Sequence, residues 1–398
     1  MKANGVRQAV TLTLMILICA NVSRVNASPI TTLDPPRPVA PPAPAPPRRP
    51  AVWRRHLATA ALCAGIVLVI LLSAGTGPLA TTPAEAAKII AGHLLPGMAW
   101  MSDGSLTVAQ DQAVWDFRLP RTLLAGIAGA SLALAGALLQ TNVRNPLAEP
   151  YILGVSAGAG VGAVLAIVAG STAMAGIGLN AAAFLGAAGA TVLVYLLARQ
   201  GGMIAPSRLI LAGVALGSLL AAITNFLTIT TEAQNVYSVL FFLLGSVSAA
   251  SYGQLLLPGL ALAAVGTYAM SRSRALNAML AGDETAIALG VNVTSMRRTL
   301  LLATALLTAT TVAVCGGIGF VGLVVPHAVR MIAGSDHRRM LPPVIAGGAL
   351  FLMLTDLLAR TVARPAEIPL GIITAVIGAP FFLWLMRTNG ARGAGVGQ

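Results

Sequence analysis

Residues 317–334 read GIGFVGLVVPHAVRMIAG, an apolar, glycine-spaced segment broken by Pro326 and followed closely by His327 and Arg330. In hydrocarbon, a proline, a histidine and an arginine each cost free energy unless protein or water satisfies them. A helix that only anchors a chain has no use for them. The segment therefore demands a membrane protein whose interior does polar work. Composition agrees: the chain is 57% hydrophobic and 9% charged, with mean hydropathy +0.83, whereas soluble domains carry about 25% charged residues. Its apolar runs have the ~20-residue length of spanning helices. They lack the alternating segments, ~10 residues long, of a membrane β-barrel. The fold class is an all-α polytopic membrane protein with about ten spans.

The net charge of +13 comes almost wholly from arginine, and the only lysines are Lys2 and Lys88. These arginines lie mostly between apolar runs, where the positive-inside rule expects them, so the charge implies a lipid bilayer and not a nucleic acid. Neither lysine stands in a GxxxxGK[ST] motif, so the chain has no P-loop, and any ATP that drives it binds a separate subunit. Cys19, Cys63 and Cys315 sit far apart in apolar stretches and read as small buried hydrophobes.

Residues 1–50 stand apart from the rest. A basic start (Lys2, Arg7), an apolar core at Val10–Ala20 and a small-residue site at Val25–Ala27 resemble a signal peptide, and residues 35–50 are mostly proline. Arg48, Arg49, Arg54 and Arg55 before the first span argue instead for a cytoplasmic start. The extension reads as an upstream mis-start or a dispensable addition. A transmembrane domain follows at 51–388, then a short cytoplasmic tail at 389–398. Spans are expected at 56–75, 123–141, 151–169, 180–198, 209–230, 255–270, 299–314, 320–333, 343–359 and 369–386, with a non-crossing helix at 235–247. Starting inside, this order puts Arg144, Arg199, Arg208, Arg272, Arg274, Arg297, Arg298, Arg338, Arg339 and Arg387 in the cytoplasm. Arg118, Arg121, Arg360 and Arg364 fall outside.

Those outer arginines have two readings. Guanidinium groups at a rim suit bidentate capture of carboxylates on a docking protein. They also suit local pairing, since Asp356 precedes Arg360 by four residues and Asp116 precedes Arg118. On the inner side, LNAMLAGDETAIALGVNV (276–293) reads as two short helices, with Gly282 ending the first, Asp283 capping the second and Gly290 stopping it. Such a knob fits a groove in a soluble partner. The acidic pair Asp283 and Glu284 weighs against a helix lying in the headgroups. QTNVRNPLAEP (140–150) forces a non-helical turn at a span end, either an ordinary interfacial turn or an inner gate. Thr224, Asn225 and Thr228 form a polar stripe that suits an aqueous route or interhelical hydrogen bonds equally. His327 has no neighbour at metal spacing. No catalytic constellation stands out, so no enzyme activity, metal or cofactor is expected.

Together these stretches resemble the FecCD family of ABC-transporter permeases. The motifs are RLPRTL (118–123), QTNVRNPLAEPYILGVSAGAG (140–160), RLILAGVALG (208–217), FLLGSVSAAS (242–251), the 276–293 segment, GFVGLVVPHAVR (319–330), GSDHRRMLP (334–342), LTDLLAR (354–360) and EIPLGIITAVIGAPFFLWL (367–385). They occur in order over roughly residues 55–388; Phe242, where tryptophan is common, and EIPLG for ELPxG are mild departures. The resemblance implies a type II importer permease of about ten helices in the bacterial inner membrane. It implies a homodimer, or a heterodimer with a homologous permease, served by a cytoplasmic ATPase dimer and an extracytoplasmic binding protein. It implies docking by Arg118, Arg121 and Arg360, with no firm match for Arg364. ATPase coupling falls to Gly282, Asp283, Glu284, Ala286 and Gly290, and the gate to Asn145, Leu147 and, more weakly, Ser207. A ferric siderophore is the expected cargo, with haem or cobalamin as alternatives. The rival reading, an ion-coupled transporter, would need a mid-membrane ionisable group, and Asp356 is the one candidate.

Overall fold

The computed structural model describes residues 52–95, 97–173, 178–200, 203–204 and 206–393. The reading of residues 1–50 lies outside them, as does 394–398. Nearly everything described is helix: α1 (Val52–Gly75), α2 (Pro83–Leu94), α3 (Val108–Val143), α4 (Val155–Ala173), α5 (Leu179–Ala198), α6 (Pro206–Thr230), α7 (Ala233–Leu244), α8 (Tyr252–Ser271), α9 (Ser273–Leu280), α10 (Asp283–Ala288), α11 (Val293–Cys315), α12 (Val321–Ala333), α13 (His337–Ala359) and α14 (Leu370–Gly393). Six of them (α3, α5, α6, α8, α11 and α13) are long and apolar enough to cross a membrane alone. Shorter apolar stretches in α1, α4, α12 and α14 bring the candidates to the expected ten. The twelve residues of α7 and the thirteen of α12 reach only about 18–20 Å against a hydrocarbon core of about 30 Å, so neither crosses alone.

Several boundaries differ from the sequence reading, each for a local reason. The segment 81–116, between the first two expected spans, is folded. Thr82 and Glu85 form a reciprocal capping box that starts α2, and Ala86 and Ile89 pack with Ala74 and Val114 in a small separate core. Helix α3 begins at Val108 rather than Leu123, because a widened π turn over Ala113–Arg118 relaxes the backbone just before Pro120. Residues 150–153 form a 3-10 turn, so the third span starts at Val155. The loop after α5 holds a two-residue antiparallel ribbon, Arg199–Gln200 with Met203–Ile204. Helix α14 runs past Met386 to Gly393.

Helix α3 is the axis of the fold. Its apolar window is 89% buried and that of α11 72%, against 22% for α6. The main core joins α3 with α8, α11 and α13 through residues such as Leu132, Leu134, Leu138, Leu300, Leu307 and Leu352. Helix α6 leaves Leu211, Leu219, Phe226 and Ile229 uncovered. Its Thr224 and Thr228 hydroxyls donate back to carbonyls of their own helix at 3.0 and 2.7 Å, while Asn225 is exposed. Helix pairs approach through small residues, as membrane packing favours. A Cβ on Gly129 would run into the Gly348 carbonyl between α3 and α13, and one on Gly136 into the Gly322 carbonyl of α12.

The Gly136 approach generates a stability test. Gly136→Ala should destabilise the detergent-solubilised protein by about 1–3 kcal/mol, as overpacking does. Gly189→Ala on α5, where an added Cβ meets nothing, should leave the thermal midpoint unchanged. Equal Tm values for the two variants would refute the close α3–α12 contact.

Candidate functional site

The outer mouth is built where α1, α3 and α13 end together. The last carbonyls of a helix lack intrahelical partners and carry its negative pole. Two arginines meet those of α1. Arg360 Nη1 donates to Ser73 O at 3.3 Å, and Arg118 Nη1 donates to Ala74 O at 2.8 Å, while Arg118 Nη2 donates to Leu79 O. Arg118 thus turns to backbone carbonyls and not to Asp116. Both side chains are buried. Asp356, with no exposed surface, accepts from Arg360 Nη2 at 2.5 Å and from Arg121 Nε at 2.9 Å. The expected i,i+4 pair of Asp356 and Arg360 is therefore present, inside a larger cluster. Arg121 Nη1 also reaches the half-exposed carboxylate of Glu367 at 2.8 Å. A cavity of about 750 Å³ opens here, lined by Arg118, Arg121, Arg360, Arg364 and Glu367 among others. Four guanidinium groups face two carboxylates, so the mouth carries excess positive charge. Arg360 Nε is buried with no partner among the described residues.

At the inner end of α3, Arg144 adopts left-handed φ of 51° and closes the helix. The Asn145 carboxamide then accepts from Leu147 N at 2.9 Å, the Asx turn that an Asn-Pro pair favours. Leu147 is exposed, and Ser207 is exposed at the start of α6. The turn is latched to the break before α12. Tyr151 Oη donates to Ile318 O at 2.8 Å and accepts from Ile318 N at 2.7 Å, and Glu149 Oε1 accepts from Phe320 N at 2.5 Å. Phe320 itself has φ of 68°. Gln140 Nε2 donates to Ala148 O and Gly322 O, and its Oε1 accepts from Arg330. Arg330 in the opening segment is thereby satisfied by an amide of α3. His327 stacks edge-on against Phe381, and its Nδ1 lacks a partner among the described residues. Burial pushes the Glu149 carboxyl above the ordinary carboxylate range, against the pull of the Phe320 N–H.

The segment expected to couple to an ATPase is a helical hairpin, α9 and α10, turned at Gly282 with φ of 117°. Asp283 does not cap α10 as expected. Its carboxylate accepts from Arg297 Nη2 at 3.0 Å and lies 3.7 Å from Arg144 Nη2, and two cations outcompete the neutral backbone donors. Ala286 is buried against the bundle, and Gly290, φ 78°, ends the segment. Glu284 is exposed beside Leu280, Ile287 and Leu289, which form an apolar tip. Sequence reasoning missed Arg144, Gln140, Glu149 and Tyr151 as partners. The string that carries them, QTNVRNPLAEPY, was the available signal.

Comparison with known proteins places this geometry. The profile of the FecCD transport family matches residues 65–388. The cobalamin import system permease protein BtuC of Halobacterium salinarum is 43% identical over 280 residues, covering 70% of this chain and 74% of that protein. The vitamin B12 import system permease protein BtuC of Klebsiella pneumoniae subsp. pneumoniae is 37% identical over 301 residues, covering 75% and 90%. A solved structure of a metal-chelate type ABC transporter in an inward-facing conformation aligns at TM-score 0.70 and 31% identity, covering 83% of this chain and 98% of that one.

The Glu149 latch has a pH signature. Because its native pKa is raised above the ordinary 4.5, the native state holds this proton more tightly than the unfolded chain. Its contribution is fully present below about pH 4.5 and is lost as pH rises through the raised native value. Glu149→Gln keeps an acceptor for Phe320 N and cannot ionise. Its Tm should therefore exceed that of the unsubstituted protein near neutral pH and converge with it toward about pH 4.5. Parallel Tm–pH curves for the two proteins would refute this.

Proposed function

The chain belongs to the FecCD transport family, and from that premise we propose that it imports cobalamin as the permease subunit of an ABC transporter. Its relatives are permease subunits, so ATP hydrolysis resides in a separate chain, as the missing P-loop requires. The protein is multi-pass and resides, in this reading, in the bacterial inner membrane, with residues 51–388 as the permease unit. The observation that carries the cargo assignment is the 43% identity to a cobalamin permease. It displaces the ferric siderophore, whose expectation rested only on what the family most often carries. A ferric chelate remains the second reading, favoured by the metal-chelate type structure at 31% identity.

In the mechanism, two permease chains enclose a pathway, an ATPase dimer binds inside and a binding protein delivers cargo outside. ATP-driven closure of the ATPase shifts the hairpin α9–α10, and the two permease states differ in their contacts with it. The exposed Leu280, Glu284, Ile287 and Leu289 would enter the ATPase groove. Gly282, Ala286 and Gly290 shape the hairpin, and Asp283 ties it to Arg144 and Arg297. Asn145, Leu147 and Ser207 form the inner gate in this reading. At the outer mouth Arg118 and Arg360 brace α1 while facing the cavity. Arg121 is the group placed to exchange partners, since its Glu367 contact is half-exposed.

Two outcomes test the proposal. Deleting this chain from its host should abolish uptake of radiolabelled cyanocobalamin and spare ferric-siderophore uptake; the reverse pattern would overturn the cargo assignment. For docking, Glu367 competes for the same guanidinium as an incoming carboxylate. Glu367→Gln should therefore tighten binding of the cognate binding protein by about two- to fivefold, the worth of an exposed ion pair. Unchanged or weaker binding in a biolayer assay would remove Arg121 from the docking site.

A further inference from the structure

Beneath the bundle, one chain of polar contacts joins the hairpin to α3 by way of α13. Asn277, on α9, donates from Nδ2 to Asp336 Oδ1 at 2.7 Å. Its Oδ1 accepts from His337 N at 2.9 Å and faces His337 Nδ1 at 2.8 Å. An amide oxygen has no proton to give, so His337 Nδ1 carries the hydrogen. The far nitrogen, Nε2, lies 2.8 Å from Thr141 Oγ1 on α3. Nε2 is then an acceptor, and the single Thr141 hydroxyl proton is shared between it and Ala137 O of its own helix, 2.9 Å away. His337 and Thr141 are each 1% exposed. Asp336 is itself fixed as the N-cap of α13, accepting from Arg338 N.

Burying an imidazole and a hydroxyl, and half-burying a carboxamide, gains little over apolar packing of the same shape. What it adds is direction. Apolar side chains slide past one another, whereas a hydrogen-bonded series holds register. Thr141 adjoins Gln140, whose amide grips Ala148 O in the gate turn and Gly322 O at the start of α12. Asn145 follows four positions later. A second link, Asp283 to Arg144, runs in parallel at the surface, 3.7 Å long and about 40% exposed on the arginine side (42%); solvent screens it.

We propose that Asn277, His337 and Thr141 are positioning residues for transport, a buried polar strut carrying displacement of the α9–α10 hairpin to the inner end of α3 and its gate turn. The proposal rests on the importer reading above. It assigns a role in coupling to residues outside the hairpin tip, the gate turn and the outer mouth.

The test uses the intact importer, purified from its host through a tag on this chain and reconstituted in proteoliposomes. ATP hydrolysis and cyanocobalamin uptake are read in the same vesicles. Thr141→Val keeps the side-chain volume and removes the hydroxyl, and Thr141→Ser restores it. Thr141→Val and Asn277→Leu should each keep ATP hydrolysis within about twofold and lower uptake per ATP at least about tenfold. Thr141→Ser should match the unsubstituted importer, and the double variant should be no worse than the poorer single, as expected for one series. An unchanged uptake-to-ATP ratio in the two single variants overturns the strut alone. So does a proportional loss of Tm, hydrolysis and uptake, which marks a purely structural role. If Thr141→Val does not assemble, Asn277→Ala at the half-buried end decides by the same ratio. An unsubstituted complex with ATP-dependent uptake of neither cyanocobalamin nor a ferric siderophore overturns the importer reading and the strut with it.

Discussion

Hydrocarbon solvates no hydrogen-bonding group, and that constraint governs where the buried polar side chains of this chain go. Asp356 shows the consequence most clearly. A carboxylate with no exposed surface is tolerated because two guanidinium groups reach it, from α3 and from the end of its own helix. One of those, Arg360, also reaches the Ser73 carbonyl of α1. Three helix ends are thereby tied by one anion. Breaking such a buried pair costs about 3–5 kcal/mol, because the remaining charges stay buried without it. Asp356, which the sequence offers as the ion-coupling candidate, lies at a span end and is committed to this cluster.

The same constraint explains the break at residues 316–320. Backbone that leaves helical geometry inside a membrane must have its groups met by protein. Here Tyr151 meets both groups of Ile318, and Glu149 meets the N–H of Phe320. Gly136 and Gly322 allow α3 to approach the start of α12 closely enough for Gln140 to close the remaining gap. The proline, histidine and arginine of the opening segment thus sit on a short helix whose entry is held by the turn after α3. The oddest stretch of sequence and the turn at 145–150 are two halves of one construction.

Much of this was legible from local pattern. Apolar run lengths mark six full-length spans and five shorter stretches, and they do not by themselves separate α7 from α12. The hairpin turn follows from Gly282, and the Asp356–Arg360 pair from its spacing. The failures share one cause: partners distant in sequence. Arg118 lies 44 residues from Ala74, and Arg121 lies 235 from Asp356. No window around RLPRTL reveals that its first arginine caps another helix. Asp283 misled for the same reason. Its local context favours a cap, and two distant cations override it. The early start of α3 is a different case. A proline reads as a helix boundary, and only the π turn before Pro120 shows how the helix passes it.

The ion pairs at the two ends of the molecule differ in how readily they rearrange. At the outer mouth the pairs are buried, so rearranging them leaves charge in a poorly solvated site. Arg121 with Glu367 is the exception, and it is the pair facing the cavity. At the inner face Asp283 is about one-third exposed (35%) and shared between two arginines. The Arg144 contact, 3.7 Å long and 42% exposed on the arginine side, is screened to about 0–1 kcal/mol. Arg297, 15% exposed, holds Asp283 more closely at 3.0 Å and ties the hairpin to α11. Toward α3, the less exposed linkage is the series from Asn277 through His337 to Thr141.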